Sequence, residues 1–197
     1  MSQRESDISQ LLRAVAEGRD GASDTLFSLV YDELRRIARN SRFVGGHGDT
    51  MQATVLANET YLTLTRRLAL PDDREAPDLE AFYRTVALAM RTILRDYWRS
   101  KTAAKRGGMS QPVPLLGDIA QQQESEFAAV DYLALDDALG ELESFNSRWF
   151  AVVMHRHFAG RSIDDTARLL DVGVSTVKSD WQLARAWLRR KMQPDSD

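Results

Sequence analysis

Apolar residues recur at steps of three and four along most of the chain, the spacing of one face of an α-helix. No segment alternates strictly enough to predict a strand. Ile8, Leu11, Leu12 and Val15 predict a short first helix, closed by Gly18 and Gly21. Leu26, Phe27, Val30, Tyr31, Leu34 and Ile37 give the second a wide apolar face, which stops before Gly45, Gly46, His47 and Gly48. A third helix is expected to start near Thr50 and to end before Pro71. The fourth is the best defined: Leu79, Phe82, Tyr83, Val86, Met90, Ile93, Leu94 and Tyr97 keep the pattern over about five turns.

After Arg106 the composition changes to Gly107, Gly108, Pro112, Pro114 and Gly117 followed by a glutamine run, as expected of a linker. Helical periodicity then resumes. Tyr132, Leu135, Leu139 and Leu142 mark one helix, and Phe150, Val153, Met154 and Phe158 the next. Ile163, Ala167 and Leu170 form a short stripe, Asp171, Val172 and Gly173 a tight turn, and Val174, Val177, Trp181, Ala184 and Leu188 a longer stripe. The predicted fold class is all-α: two small helical domains, residues 1–107 and 127–197, joined by a flexible linker over 108–126, with a helix-turn-helix in the second. With 197 residues, 43% of them hydrophobic, the chain can bury two small cores.

The formal net charge of -3 argues against a nucleic-acid binder until its distribution is considered. Arg84, Arg91, Arg95, Arg99, Lys101, Lys105 and Arg106 face a single acid, Asp96, in their stretch. Asp118 to Glu143 is the acidic counterpart, with Glu124, Glu126, Asp131, Asp136, Asp137 and Glu141. The absence of cysteine excludes disulfides, thiolate metal sites and cysteine nucleophiles. No stretch approaches the roughly 20 apolar residues of a membrane span, and Met1 to Asp20 lacks the apolar core of a signal peptide, so a cytoplasmic location is expected.

The segment SIDDTARLLDVGVSTVKSDWQLARAWL, Ser162 to Leu188, has the layout of a helix-turn-helix. Ser162 can cap the first helix, with Asp165 at the third position, and Gly173 suits a turn residue with positive φ. With Val177 and Trp181 facing inward, about 100° per residue puts Ser175, Ser179 and Gln182 on the opposite face, flanked by Thr176, Lys178 and Arg185. Such a polar, partly basic surface at the start of a helix suits phosphate contacts and base-edge hydrogen bonds in a major groove.

This segment resembles the minus-thirty-five-binding domain of the extracytoplasmic-function (ECF) sigma factors of RNA polymerase. FYRTVALAMRTILRDYWRSKTAAKRGG, Phe82 to Gly108, resembles the helix with which these factors read and help melt the minus-ten element. YDELRRIARN, Tyr31 to Asn40, resembles the helix before it, and NETYLTL, Asn58 to Leu64, the polymerase-binding helix. The likeness is strongest to the group carrying YDELRRIAR, QAT and AAKRGG blocks. It implies an alternative sigma factor, not an enzyme and without cofactors, whose two domains clamp promoter DNA and the polymerase core. Residues 1–107 would be sigma domain two and residues 127–197 sigma domain four.

On that reading Arg84, Arg91, Arg95, Arg99, Lys101, Lys105 and Arg106 meet phosphates near the minus-ten element, and Ser175, Thr176, Lys178, Ser179, Gln182 and Arg185 meet the minus-thirty-five element. The loop Pro71 to Leu79 would border a pocket for unpaired bases. Tyr97 and Trp98 could stack there, but their spacing fits core packing better.

One departure from the family pattern is informative. The polymerase-binding helix normally opens with acidic residues that meet basic residues on the clamp helices of the large polymerase subunit. Aligned through Asn58, Glu59 and Thr60, the matching positions here are Gln52, Ala53, Thr54 and Val55. The polymerase-binding set is therefore Gln52, Thr54, Val55, Asn58 and Glu59, with weak binding expected of the unmodified chain. Phosphorylation of Thr50, or of Thr54 as second choice, by a serine/threonine kinase would restore about two negative charges, as in relatives activated by this route. A simple N-cap is the alternative use of Thr50.

A competing reading is a helix-turn-helix transcriptional regulator with an unrelated helical sensor domain, which would have no reason to carry Phe82 to Gly108. An enzyme finds no support. His155 and His157, two residues apart on a helix, diverge by about 200° and cannot share a metal, and no phosphate-loop lysine accompanies the glycines around His47.

Overall fold

The computed structural model describes residues 3–40, 52–68, 78–104, 113–114, 129–130 and 132–193. Among these the architecture is helical, as the periodicity predicts. Helices α1 (Gln3–Ala16), α2 (Ala22–Asn40), α3 (Ala53–Leu68) and α4 (Leu79–Ala104) form the first half, and α5 (Tyr132–Phe145), α6 (Ser147–Val153), α7 (Ile163–Leu169) and α8 (Val174–Met192) the second. Two short strands accompany them, β1 (Val113–Pro114) and β2 (Ala129–Val130), paired antiparallel with Val113 opposite Val130. β1 falls within the span expected as linker; the rest of residues 108–126 lies outside the described residues.

Local chemistry sets the helix boundaries. Gly18 (φ 69°) and Gly21 (φ 74°) occupy the left-handed region, which only glycine enters without a Cβ penalty, and so break the chain between α1 and α2. Asp78 caps α4, its Oδ1 accepting from Ala81 N at 2.7 Å. Asn146 does the same for α6, accepting from Trp149 N at 3.1 Å. α6 then widens into a π-helical turn, Met154–Phe158, in which Ala159 N reaches back to Met154 O at 3.0 Å.

The predicted stripes are the core. Leu26, Val30, Leu34 and Ile37 of α2 pack with Phe82, Tyr83, Val86, Met90 and Leu94 of α4, and Leu139, Phe158, Val177 and Leu188 join the same contiguous buried cluster. Trp98 is buried and Tyr97 half-buried against it, their rings edge to face at 5.6 Å. The two halves therefore share one core. Where they meet, Gly160 (φ 60°) lies so close to α2 that a Cβ there would stand 3.8 Å from Ile37 Cγ2.

Polar groups line that junction. Arg161, buried before α7, donates from Nη1 to Glu5 of α1 at 3.0 Å and from Nη2 to Glu33 of α2 at 2.8 Å. Its guanidinium lies 4.2 Å from the centroid of the Tyr83 ring. Arg168 of α7 reaches the other oxygen of Glu5 at 3.3 Å. Nearby, His155 Nε2 meets Glu80 of α4 at 3.3 Å. Burial alone would raise the Glu33 carboxyl, but the hydrogen bond from Arg36, the charges of Arg36 and Arg161 and the Tyr83 hydroxyl hold it below its ordinary value.

Candidate nucleic-acid and polymerase interface

The segment from α7 to α8 presents the clearest surface. Ser162 caps α7 as expected, its Oγ accepting from Asp165 N at 3.0 Å and donating to Asp165 Oδ2 at 2.6 Å. Burial would raise the Asp165 carboxyl, but the Ser162 bond and the charges of Arg168 and Arg161 hold it below the usual range. The turn differs from the sequence expectation in one respect. Gly173 has φ -68° and serves as the N-cap of α8, whereas the positive φ, 51°, belongs to Asp171. The chain turns one residue after the α7 C-cap, Leu170, and an aspartate is among the few non-glycine residues that tolerate that conformation.

On α8, Val177, Trp181, Ala184 and Leu188 are buried, and Ser175, Lys178, Ser179 and Gln182 are exposed. Thr176 is half-buried, and Arg185 is half-buried with its guanidinium 5.8 Å from the Trp181 ring centroid. The first turn of α8 carries no acid and has no side-chain cap, which leaves its backbone N–H groups available to an anion. A residue the sequence reading missed fixes this helix. Asp180 is buried in the inward stripe and accepts from Arg148 Nε at 2.6 Å and Nη2 at 3.2 Å, and from Trp149 Nε1 at 3.0 Å. An acid at the i+3 position of an apolar stripe was the available sign of a buried ion pair.

The basic row on α4 is divided. Arg84 is exposed, with Glu80 3.7 Å away, and Arg99 is also exposed. Arg95 is half-buried and donates to Asp96 at 3.3 Å. Arg91 does not lie on the free surface: only 13% of its side chain is accessible, and it is bound to Asp136 of α5. Its interior placement follows from the other half of the chain packing on α4, which helix periodicity within α4 cannot reveal. Lys101 lies in α4, and Lys105 and Arg106 lie outside the described residues.

On α3, Thr54, Val55, Asn58 and Glu59 are exposed, as is Gln52 just before the helix. Asn58 accepts from the Tyr31 hydroxyl at 2.7 Å. Leu62, seven residues after Val55 and thus on the same face, is exposed too. The first turn of α3 contains no acidic residue. Thr50 lies outside the described residues, as do residues 71–77 of the loop expected to border a base pocket.

A family model described as ECF sigma factor matches residues 5–194, both halves of the molecule together. The chain belongs to the ECF sigma factor family. This ECF sigma factor is therefore a transcription initiation factor, with RNA polymerase core and promoter DNA as the partners its family implies. A match over both halves leaves no unrelated sensor domain for the regulator reading. No curated protein matches the chain. No described helix is long and apolar enough to cross a membrane.

Proposed function

We propose that residues 1–107 bind the polymerase core and the minus-ten element, that residues 127–197 read the minus-thirty-five element through a helix-turn-helix, and that residues 108–126 connect the two. The observation that carries this reading is α8: a buried Val177 and Trp181 stripe backs an exposed row of Ser175, Lys178, Ser179 and Gln182 at an acid-free helix start. Arg185 and Thr176 flank the row. Lys178 and the N–H groups of the first turn meet phosphates, and Gln182 and the serines face base edges. Arg84, Arg95, Arg99, Lys101, Lys105 and Arg106 attract the duplex near the minus-ten element, in the cytoplasm, where polymerase and chromosome reside.

Gln52, Thr54, Val55, Asn58 and Glu59, with Leu62, form the surface for the clamp helices of the large subunit. Its apolar pair, Val55 and Leu62, has no acidic cluster beside it. A serine/threonine kinase that modifies Thr50, or Thr54 at the second residue of α3, would place about two negative charges at the start of that helix, where the dipole favours them.

Run-off transcription with purified polymerase core and a promoter library, with and without kinase treatment, tests the whole reading. Promoter-specific transcripts that depend on modification are expected, with Thr50→Ala or Thr54→Ala abolishing the dependence. Strong core binding by unmodified protein would remove the phosphorylation step, and no transcript in any state would remove the assignment of the two halves.

A further inference from the structure

We infer that Leu183 is a specificity-determining residue of α8, which packs against the C5-methyl group of a thymine in the minus-thirty-five element, beside an adenine held by Gln182. The inference rests on the two-element reading above and deepens it to the bases that α8 selects.

The starting observation is an apolar side chain in a polar place. Leu183 is 47% exposed, although the stripe of Val177, Trp181, Ala184 and Leu188 on the same helix is buried. At about 100° per residue Leu183 stands about 40° from Ser179 and about 120° from Val177, so it belongs to the outward sector of the helix. A leucine exposed by itself is ordinary. This one directly follows Gln182 and lies one turn beyond Ser179, among the positions that face base edges.

Its orientation is fixed from below. Asp180, three residues earlier, is buried and tied to α6 by Arg148 at 2.6 and 3.2 Å and by the Trp149 indole at 3.0 Å. Those bonds resist rolling of α8 about its axis and so keep Leu183 from turning toward the core. Ser175, Ser179 and Ala186 along the row are exposed and short, which lets the helix approach the floor of a major groove closely enough for a leucine to touch it.

The chemistry of the row then selects among bases. Arginine, whose fork matches guanine O6 and N7, is absent from its centre: Arg185 is half-buried on the flank, its guanidinium 5.8 Å from the Trp181 ring centroid. Glutamine matches adenine N6 and N7, and an apolar side chain matches the thymine methyl, the apolar group that marks this base in the major groove. Gln182 and Leu183 therefore present a donor and acceptor group and an apolar group side by side. The leucine surface left wet in the free protein is dried on a duplex that carries a methyl at the facing position.

Core polymerase assembled with the full-length, kinase-treated factor can select duplexes from a library randomised across the promoter. An upstream element with adenine and thymine at fixed neighbouring positions is expected. Replacing each thymine in turn by uracil, which lacks the methyl and keeps the pairing edge, should weaken binding at one position by about four-fold, the effect of one buried carbon group. Leu183→Ala should bind the thymine and uracil duplexes equally, with its preference at that position relaxed and its affinity for the core unchanged. Val174, exposed at the first residue of α8, supplies the control: Val174→Ala should keep the uracil effect. Wild type indifferent to uracil at every position, a uracil effect retained in Leu183→Ala, or one lost in Val174→Ala instead would each overturn the inference. Weakened core binding by Leu183→Ala would assign the leucine to a protein contact and overturn it as well. A complex that enriches no upstream element removes the two-element reading, and this inference with it.

Discussion

Arg91 and Asp136 are joined twice, by a 2.6 Å bond between guanidinium and carboxylate and by a 2.9 Å bond from the same guanidinium to the aspartate's own carbonyl. The Phe150 ring lies 5.6 Å below the arginine, and Gly140 stands close by on α5, where a Cβ would come within 3.9 Å of Arg91 Nη2. A residue that the register of its own helix places in the basic row is thus engaged by the opposite half of the chain.

Arg84 and Arg91 should accordingly separate in mutagenesis. Arg84→Ala is expected to leave stability within about 0.5 kcal/mol and to lower the salt slope of promoter binding by about one. Arg91→Ala should cost about 3 kcal/mol of stability, since it leaves the buried Asp136 carboxylate without its cation. Chemical denaturation and a salt titration of promoter affinity check the pair.

Asp180 should prove a structural residue of α8. Asp180→Ala removes the acceptor of three hydrogen bonds, two from Arg148 and one from the Trp149 indole, and is expected to destabilise the protein by about 3 kcal/mol. Arg148→Ala should also destabilise, because it leaves the buried Asp180 carboxylate without this cation and with the Trp149 indole as its remaining donor of the three. Promoter binding at temperatures well below the melting point should persist in both, as neither side chain belongs to the exposed row.

The turn before α8 makes a sharper test. Asp171 holds φ 51°, so Asp171→Gly should stabilise by up to about 1 kcal/mol and Asp171→Val should destabilise by more. Gly173→Ala should be tolerated within about 0.5 kcal/mol, because its φ is ordinary and a Cβ would meet Thr176 Oγ1 at 3.5 Å. Thermal melts of the three variants decide whether Asp171 or Gly173 is the residue under constraint.

Acid should loosen the junction in two stages. Burial outweighs the attraction of Glu80 and, with Arg161 and Arg84 adding repulsion, holds the His155 imidazole below 6.5. The unfolded chain takes up that proton first, so the contribution is complete above 6.5 and is lost as pH falls through that value toward the folded pKa. Glu33 is held below 4.5, so its contribution is present above that value and is lost as pH falls through the lower folded pKa. Melting temperature should therefore decline between about pH 7 and pH 5 and again below about pH 4, with His155→Gln flattening only the first stage.

Much of this molecule was legible in its sequence. The four-residue rhythm of α4 and α8 predicted their buried faces, and Ser162 followed by Asp165 predicted the cap of α7, because capping and amphipathicity are decided within a few residues of chain. The exposed positions of Ser175, Lys178, Ser179 and Gln182 followed from helical geometry alone. Gly173 misled because glycine permits a left-handed turn without requiring one, and the conformation fell to Asp171 instead.

The sequence by itself therefore determined the helices, their inward stripes and the outward face of α8, all properties of residues within a turn or two of one another. Only the tertiary structure decided which charges meet: Arg161 with Glu5 and Glu33, Arg91 with Asp136, Arg148 with Asp180. A side chain's helical register fixes which way it leaves its own backbone. What waits there, water, phosphate or a carboxylate from up to 156 residues away, depends on how the halves pack.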